Sequence, residues 1–83
     1  MNATRCAAEK QLMRAKKVLE ILQKGRMRFT PLYRECRNDL TMTTYQSTLR
    51  FLEDNGYITR ERKEPRETWI GITEKGVALY RVL

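Results

Sequence analysis

Hydrophobic residues recur at two different spacings along the chain, and the spacing distinguishes helices from strands. Over residues 4–24, helix-favouring residues dominate and the apolar positions follow the i, i+3, i+4, i+7 pattern of one helix face. The positions on this face are Ala8, Leu12, Ala15, Val18, Leu19 and Leu22. We therefore predict a long first helix, which ends at Gly25 because glycine readily adopts the left-handed backbone that terminates helices.

A short second helix is predicted after an extended link at residues 27–29. Thr30 followed by Pro31 is typical of a helix start, because a threonine oxygen can cap free amides and proline fits the first helical position. This helix is expected to end near residue 37.

The third predicted helix has one apolar and one polar face. Thr41 caps its start after a turn at residues 38–39, and Gly56 terminates it near residue 55. One face carries Met42, Tyr45, Leu49 and Leu52, and the opposite face carries Thr43, Gln46, Ser47 and Arg50. A hydrated surface helix normally carries more charge than this second face, which suggests that the polar face has a binding role.

Alternating hydrophobicity after Gly56 predicts two strands, over residues 57–62 and 68–72, around a charged loop of residues 63–67. In the second strand Ile70 and Ile72 point one way and Trp69 points the other. Thr73 then caps a last helix over residues 74–83, in which six of the final seven residues are apolar. One buried face needs fewer, so this helix is expected to have surplus apolar surface.

Length and charge narrow the functional classes. The 83 residues suffice for one small domain, spanning 1–83. Ten of the 17 Lys and Arg residues, but only three of the ten acidic residues, lie in residues 1–37, so the net charge of +7 resides in that half. This favours an anionic partner, nucleic acid before a membrane surface. No apolar run approaches a membrane span and no signal-peptide block is visible, so we expect a cytoplasmic protein.

Candidate catalytic and metal-binding residues are scarce. The chain contains no His, the commonest general base and metal ligand. Cys6 and Cys36 lack the spacing of a zinc site. Cys36 lies among core-like residues and is expected to be buried, whereas Cys6 could be a free thiol or could form an intermolecular link. We expect no enzyme activity, metal, cofactor or small-molecule ligand, and a thiol-based sensor would require a neighbouring base that the sequence lacks.

Two segments carry a resemblance to a known class of proteins. The stretch from Leu40 to Ile58 (LTMTTYQSTLRFLEDNGYI) resembles the recognition helix and wing entry of prokaryotic winged helix-turn-helix regulators. Residues 72–76 (ITEKG) are similar to the Leu-Thr-x-x-Gly that closes the wing in multiple-antibiotic-resistance-type and archaeal regulators. The resemblance spans roughly residues 14–80 and implies an α+β winged helix-turn-helix, with a three-helix core, a two- to three-stranded wing and a C-terminal helix.

The resemblance also implies binding to double-stranded DNA, and the residue types agree with it. In a major groove Gln pairs with adenine edges, Arg with guanine, and Ser or Thr with either. The expected recognition-helix contacts are Thr43, Thr44, Gln46, Ser47 and Arg50. The expected wing contacts are Arg60, Arg62, Lys63 and Arg66, and the expected phosphate contacts before the second helix are Arg26, Arg28 and Thr30.

Surplus apolar surface at both ends of the chain predicts a homodimer. The expected interface residues are Ala8, Leu12, Leu79, Tyr80 and Leu83. The leading hypothesis is therefore a homodimeric transcription regulator that binds duplex DNA. The alternative is a winged-helix module that binds a protein partner in a larger transcription or RNA-processing complex.

Overall fold

The computed structural model describes residues 3–64 and 67–83, and the side chains of residues 9–62 and 68–83. The elements along these ranges are α1 (Ala3–Leu22), β1 (Met27–Arg28), α2 (Phe29–Cys36), α3 (Met42–Asp54), β2 (Ile58–Glu64), β3 (Glu67–Ile72) and α4 (Glu74–Val82). The strands form one antiparallel sheet in the order β1-β3-β2. Three helices, a small sheet and a final helix make up the predicted α+β winged helix-turn-helix.

The core lies between α1, α2, α3 and the inner face of the sheet. Its fully or nearly fully buried side chains are Ala15, Val18, Leu19, Leu22, Leu32, Cys36, Leu40, Tyr45, Leu49, Leu52, Ile58 and Ile70. Each buried large aliphatic side chain contributes about 1.5–3 kcal/mol of transfer free energy. The predicted face of α1 is confirmed from Ala15 to Leu22, whereas Leu12 is 39% exposed and the side chain of Ala8 is outside the described residues.

Tyr45 connects α3 to the start of α2. Its hydroxyl donates a hydrogen bond of 2.7 Å to the carbonyl oxygen of Phe29. Its ring lies 5.1 Å, centroid to centroid, from the rings of both Phe29 and Tyr33. Burial raises the pKa of Tyr45 well above its ordinary range, so the hydroxyl remains a neutral donor.

The prediction that Thr30 caps α2 is wrong. Arg28 occupies the N-cap position with an extended backbone, and no side chain caps this helix start. Pairing of β1 with β3 holds Arg28 extended, so α2 begins directly after the strand, at Phe29. Pro31 therefore lies within the first turn, where its missing amide hydrogen has no partner to lose.

The predicted ends of α3 are confirmed. The Thr41 hydroxyl oxygen accepts a hydrogen bond of 3.2 Å from the amide of Thr44. Gly56 follows the helix with φ +78°, a backbone conformation that favours glycine. Met42, predicted to belong to the apolar face, is instead 40% exposed, because as the first residue of α3 it lies at the rim of the core.

The sheet has three strands, within the predicted two to three, but its two long strands extend further than the sequence predicts. The expected link at residues 27–29 contains strand β1, in which Met27 pairs with Ile70 of β3. β2 continues to Glu64 and β3 begins at Glu67, with a register shift between Arg62 and Glu64, so the expected loop of residues 63–67 is mostly strand. The charged residues of this segment do not alternate with apolar ones, so no sequence pattern predicts strand here, and the strands extend through the pairing of Glu64 with Glu67.

The capped start of α4 is confirmed, since the Thr73 hydroxyl accepts a hydrogen bond of 3.1 Å from the Gly76 amide. A Cβ on Gly76 would collide with the carbonyl oxygen of Tyr57, so this close helix–strand contact requires glycine. Part of the predicted apolar surplus is used within the chain, because Leu79 and Tyr80 of α4 and the following Leu83 pack against the core. No helix in the described residues is long and apolar enough to cross a membrane.

Candidate nucleic-acid interface

One face of α3 is polar, exposed and nearly uncharged. Thr43, Gln46, Ser47 and Arg50 are all exposed on it, opposite the buried Tyr45, Leu49 and Leu52. Among the described side chains Arg50 has no ion-pair partner. The structure therefore brings these four predicted residues together with their polar groups facing solvent.

Thr44 differs from the other predicted recognition residues. It is half-buried, and its hydroxyl accepts a hydrogen bond of 3.0 Å from the Thr41 hydroxyl. Its carbonyl oxygen accepts a second bond of 2.8 Å from the hydroxyl of the buried Thr48. Thr44 thus belongs to the capped first turn that orients the polar face, at the edge of that face.

The inner face of β2 contacts α3 through a cation. The Arg60 Nε atom lies 3.7 Å from Glu53 Oε1 on the last turn of α3. Such a partly exposed pair contributes at most about 1 kcal/mol, but it sets the direction of the Arg60 side chain. Arg62 is exposed two residues further along β2. The side chain of Lys63 and the whole of Arg66 are outside the described residues.

The outer face of the sheet carries an arginine–tryptophan cluster, which we define as Arg26, Arg28, Glu61 and Trp69. The guanidinium carbons of Arg26 and Arg28 lie 5.6 Å and 5.9 Å from the centroid of the Trp69 ring. Arg26 also lies 3.8 Å from a Glu61 carboxylate oxygen. Trp69 is paired with Arg28 on one side and with Glu61 on the other, so these three side chains form one row across the sheet.

The two arginines of this cluster were expected to act with the amides at the start of α2. In the structure both lie against the Trp69 ring and Arg26 lies near Glu61, and sequence reasoning did not connect either residue with them; their contact with phosphate stays a prediction. The missing signal was the strand pairing of β1, which is only two residues long. Thr30 is exposed near the start of α2 and has no cap role.

Comparisons with known proteins identify the fold. No family model matches the sequence, and no curated protein matches it either. Among solved structures, a transcriptional regulator from Clostridium thermocellum is 26% identical with a TM-score of 0.74, and the match covers 82% of this chain and 75% of that one. A MarR-family transcriptional regulator from Enterococcus faecalis is 22% identical with a TM-score of 0.71, over 99% of this chain and 80% of that one.

RosR from H. salinarum is 15% identical with a TM-score of 0.75, over 83% of this chain and 66% of that one. This chain has the winged helix-turn-helix fold of these regulators. In this winged helix, α2 and α3 form the helix-turn-helix, and β2 and β3 form the wing. The chain spans 64% and 66% of the length of two RosR chains, which is just under two thirds.

Exposed apolar side chains lie on α1 and at the end of α4. Met13 is 72% exposed and Val82 is 80% exposed, and neither was among the predicted interface residues. An open pocket of about 340 Å³ joins α1 to the chain end, and it is lined by Glu9, Leu12, Met13, Lys16 and Leu83. Apolar side chains from α1 therefore adjoin the C-terminal residue at one surface.

Cys36, the one cysteine whose side chain is among those described, is fully buried, and burial raises the pKa of its thiol to about 11. The neutral thiol is a poor nucleophile, and Cys36 acts as a small apolar core residue. Within the described residues no group of three or more His, Cys, Asp or Glu side chains is arranged to hold a metal ion.

Proposed function

We propose that this chain is a sequence-specific regulator of transcription that binds double-stranded DNA as a homodimer in the cytoplasm. The observation that carries this proposal is the exposed hydroxyl and amide face of α3, on which Arg50 has no ion-pair partner among the described side chains, on a fold shared with transcriptional regulators. We propose no enzymatic step and no cofactor for it.

Base recognition is assigned to α3. A helix of this kind lies in the major groove, where an amide side chain such as that of Gln46 can bond both N6 and N7 of adenine. The guanidinium of Arg50 can bond O6 and N7 of guanine. Thr43 and Ser47 donate or accept on either side of these two residues. A face with a single cation depends on hydrogen bonding, which favours discrimination between bases over general attraction to DNA.

Phosphate contact is assigned to the sheet. The wing cations Arg60, Arg62, Lys63 and Arg66 are suited to the negative backbone beside the groove, since contacts to phosphate orient a protein without distinguishing sequences. The Glu53 carboxylate lies 3.7 Å from Arg60 and partly neutralises its positive charge. Binding through these residues is expected to weaken steeply as salt concentration rises.

The apolar surface at the chain ends is assigned to the dimer. The exposed side chains of Leu12 and Met13 line one pocket with Leu83, Val82 is exposed as well, and a second copy would remove these side chains from water. Ala8, Leu79 and Tyr80 complete the expected interface. A two-fold dimer presents two α3 helices to half-sites one DNA turn apart, roughly 34–36 Å. The preferred site is then a near-palindrome.

A titration of labelled nucleic acids tests the proposal. The protein is titrated against duplex DNA, single-stranded DNA and RNA of one sequence at two salt concentrations. We expect the duplex to bind most tightly, and more weakly at the higher salt concentration. Equal binding to all three, or none, would contradict the proposal and favour a module that binds a protein partner.

A further inference from the structure

Trp69 lies at the centre of the arginine–tryptophan cluster, and none of the DNA contacts proposed above involves it. Trp69 is half-buried and is the only tryptophan in the chain. Two guanidiniums lie within 6 Å of its ring centroid, the range in which a cation is attracted by the electrons of an aromatic face. One ring on the central strand therefore holds two flexible side chains, one from the neighbouring strand β1 and one from the residue just before it.

The backbone of β3 leaves room for the Arg26 side chain at Gly71. A Cβ placed on Gly71 would lie 3.2 Å from Arg26 Cγ and 3.4 Å from Thr59 Oγ1, so the side chain of Arg26 crosses the sheet where β3 has no side chain. Because Gly71 has no side chain, the Arg26 side chain can cross β3, and its guanidinium lies over the Trp69 ring. Arginine normally loses much side-chain freedom on binding an anion, and this arrangement removes part of that freedom beforehand.

The cluster also contains an internal anion. The Glu61 carboxylate lies 3.8 Å from Arg26, and both side chains are more than half exposed. A pair this exposed is weak and exchanges readily with another anion. Two guanidiniums held on one ring, with the exchangeable Glu61 carboxylate beside Arg26, suit a phosphodiester, to which planar guanidinium groups bond in a fixed geometry.

We propose that the outer face of the sheet is a second phosphate-binding surface for duplex DNA, in which Trp69 is the positioning residue for Arg26 and Arg28. This rests on the proposed DNA-binding function and adds a residue to it. The incoming phosphate takes the place of the Glu61 carboxylate on Arg26. Trp69 itself contacts no base, so its contribution is the same for every sequence.

The first test compares three substitutions on a labelled duplex of random sequence. Trp69→Leu removes the aromatic face, whereas Trp69→Phe keeps a ring. We expect Trp69→Leu to lower the affinity roughly three- to tenfold and to reduce the dependence on salt, and Trp69→Phe to stay within about twofold of wild type. Tyr57→Leu is the matched control, because its ring also carries a cation, Lys75 at 5.0 Å, but lies between α3 and β2. It should leave the salt dependence unchanged.

A double-mutant cycle separates positioning from stability. Arg28→Gln should weaken binding by a similar factor, and adding Trp69→Leu to it should cost less than Trp69→Leu costs alone. If the two effects multiply fully, Trp69 does not act through Arg28 and the proposal is wrong. Thermal melting of each variant shows which losses of affinity come from a less stable fold.

The emission of Trp69 supplies a readout that does not depend on affinity. Because the chain has one tryptophan, duplex binding should change its emission in the wild type, and the change should shrink in Arg26→Gln.

Glu61→Gln should increase affinity for random duplex more than the exposed Glu20→Gln, which changes the net charge equally. Equal increases would contradict the exchange of carboxylate for phosphate.

The outcomes also distinguish this inference from the function on which it rests. If the labelled duplex does not bind wild type at all, both are wrong. If the duplex binds but Trp69→Leu binds like wild type and the emission stays constant, the DNA-binding function stands and the role of Trp69 is refuted.

Discussion

The exposed face of α3 and the sheet beside it differ in their chemistry. The α3 face consists of hydroxyl and amide groups with one cation, Arg50, whereas the described part of the sheet carries arginines on both faces, with acidic residues between them. Hydrogen-bonding groups distinguish bases, and cations contact a backbone that is the same for every sequence. A molecule built this way can be specific without depending on a high charge at the surface that we propose recognises bases.

Both surfaces depend on one core, and this gives the largest expected effect. Leu49→Ala removes a fully buried side chain beneath the polar face of α3. We expect the free energy of unfolding to fall by about 2–5 kcal/mol, because a cavity is left behind. Chemical denaturation monitored by Trp69 emission and by circular dichroism should give one common midpoint, whereas Ser47→Ala should change it little. Two separate midpoints would show that helix and sheet unfold independently.

Alkaline pH should destabilise that core. The Cys36 pKa is raised from about 9 to about 11 in the folded state, so the unfolded chain loses this proton first. The contribution of the neutral thiol to stability is therefore complete below pH 9 and declines as pH rises from about 9 to about 11, by about 3 kcal/mol. Tyr45 shifts in the same direction. Urea denaturation of wild type and Cys36→Val at several pH values measures this, and an identical alkaline loss in both would refute the assignment to Cys36.

Substitutions on the α3 face should change specificity. Arg50→Ala and Gln46→Ala should each lower the affinity for the best site by about 1–3 kcal/mol and relax the preference at one base pair. Gln46→Ala should hardly affect binding to random duplex, because it removes no charge. Competition between the best site and random duplex measures the ratio. An unchanged ratio in both variants would place base recognition elsewhere.

Substitutions on the wing should give the smallest and most uniform effect. Arg62→Ala or Lys63→Ala should weaken binding to all duplexes alike, and the slope of log affinity against log salt should decrease by about 0.9 for each phosphate that the variant no longer neutralises. Arg28→Ala should behave in the same way. Affinities at four salt concentrations provide the slope, with Arg81→Ala on α4 as a control of equal charge. A wing variant that alters the preferred sequence would reverse the roles of the two surfaces.

Local signals in the sequence predicted most of the fold. Thr41, Gly56 and Thr73 act within three residues of the backbone groups that they cap or terminate, so their roles follow from sequence alone. Thr30 carries the same local signal for a helix start, but Arg28 occupies the N-cap position. Strand pairing with a segment some 40 residues away determines where α2 begins. Such distant pairing leaves no local pattern.

Local signals in the sequence also predicted part of the candidate site, but not the part that depends on strand pairing. The polar face of α3 follows helical periodicity, and its exposure agrees with the prediction. The stacking of Arg26 and Arg28 on Trp69 was not predicted, because it depends on which residues of two strands lie opposite each other. Met13 and Val82 were missed at the chain ends for a related reason: their exposure depends on how much of α1 and α4 the rest of the chain covers.

The division of roles between α3 and the sheet can be tested most directly by mapping protected positions on DNA selected from a random pool, for wild type and Arg50→Ala. We expect wild type to protect a near-palindromic site with two half-sites roughly 34–36 Å apart, and Arg50→Ala to retain backbone protection while losing the preference at one base pair in each half-site. Selection of no preferred sequence by wild type, or an unchanged preference in Arg50→Ala alongside a changed one in Arg62→Ala, would contradict it.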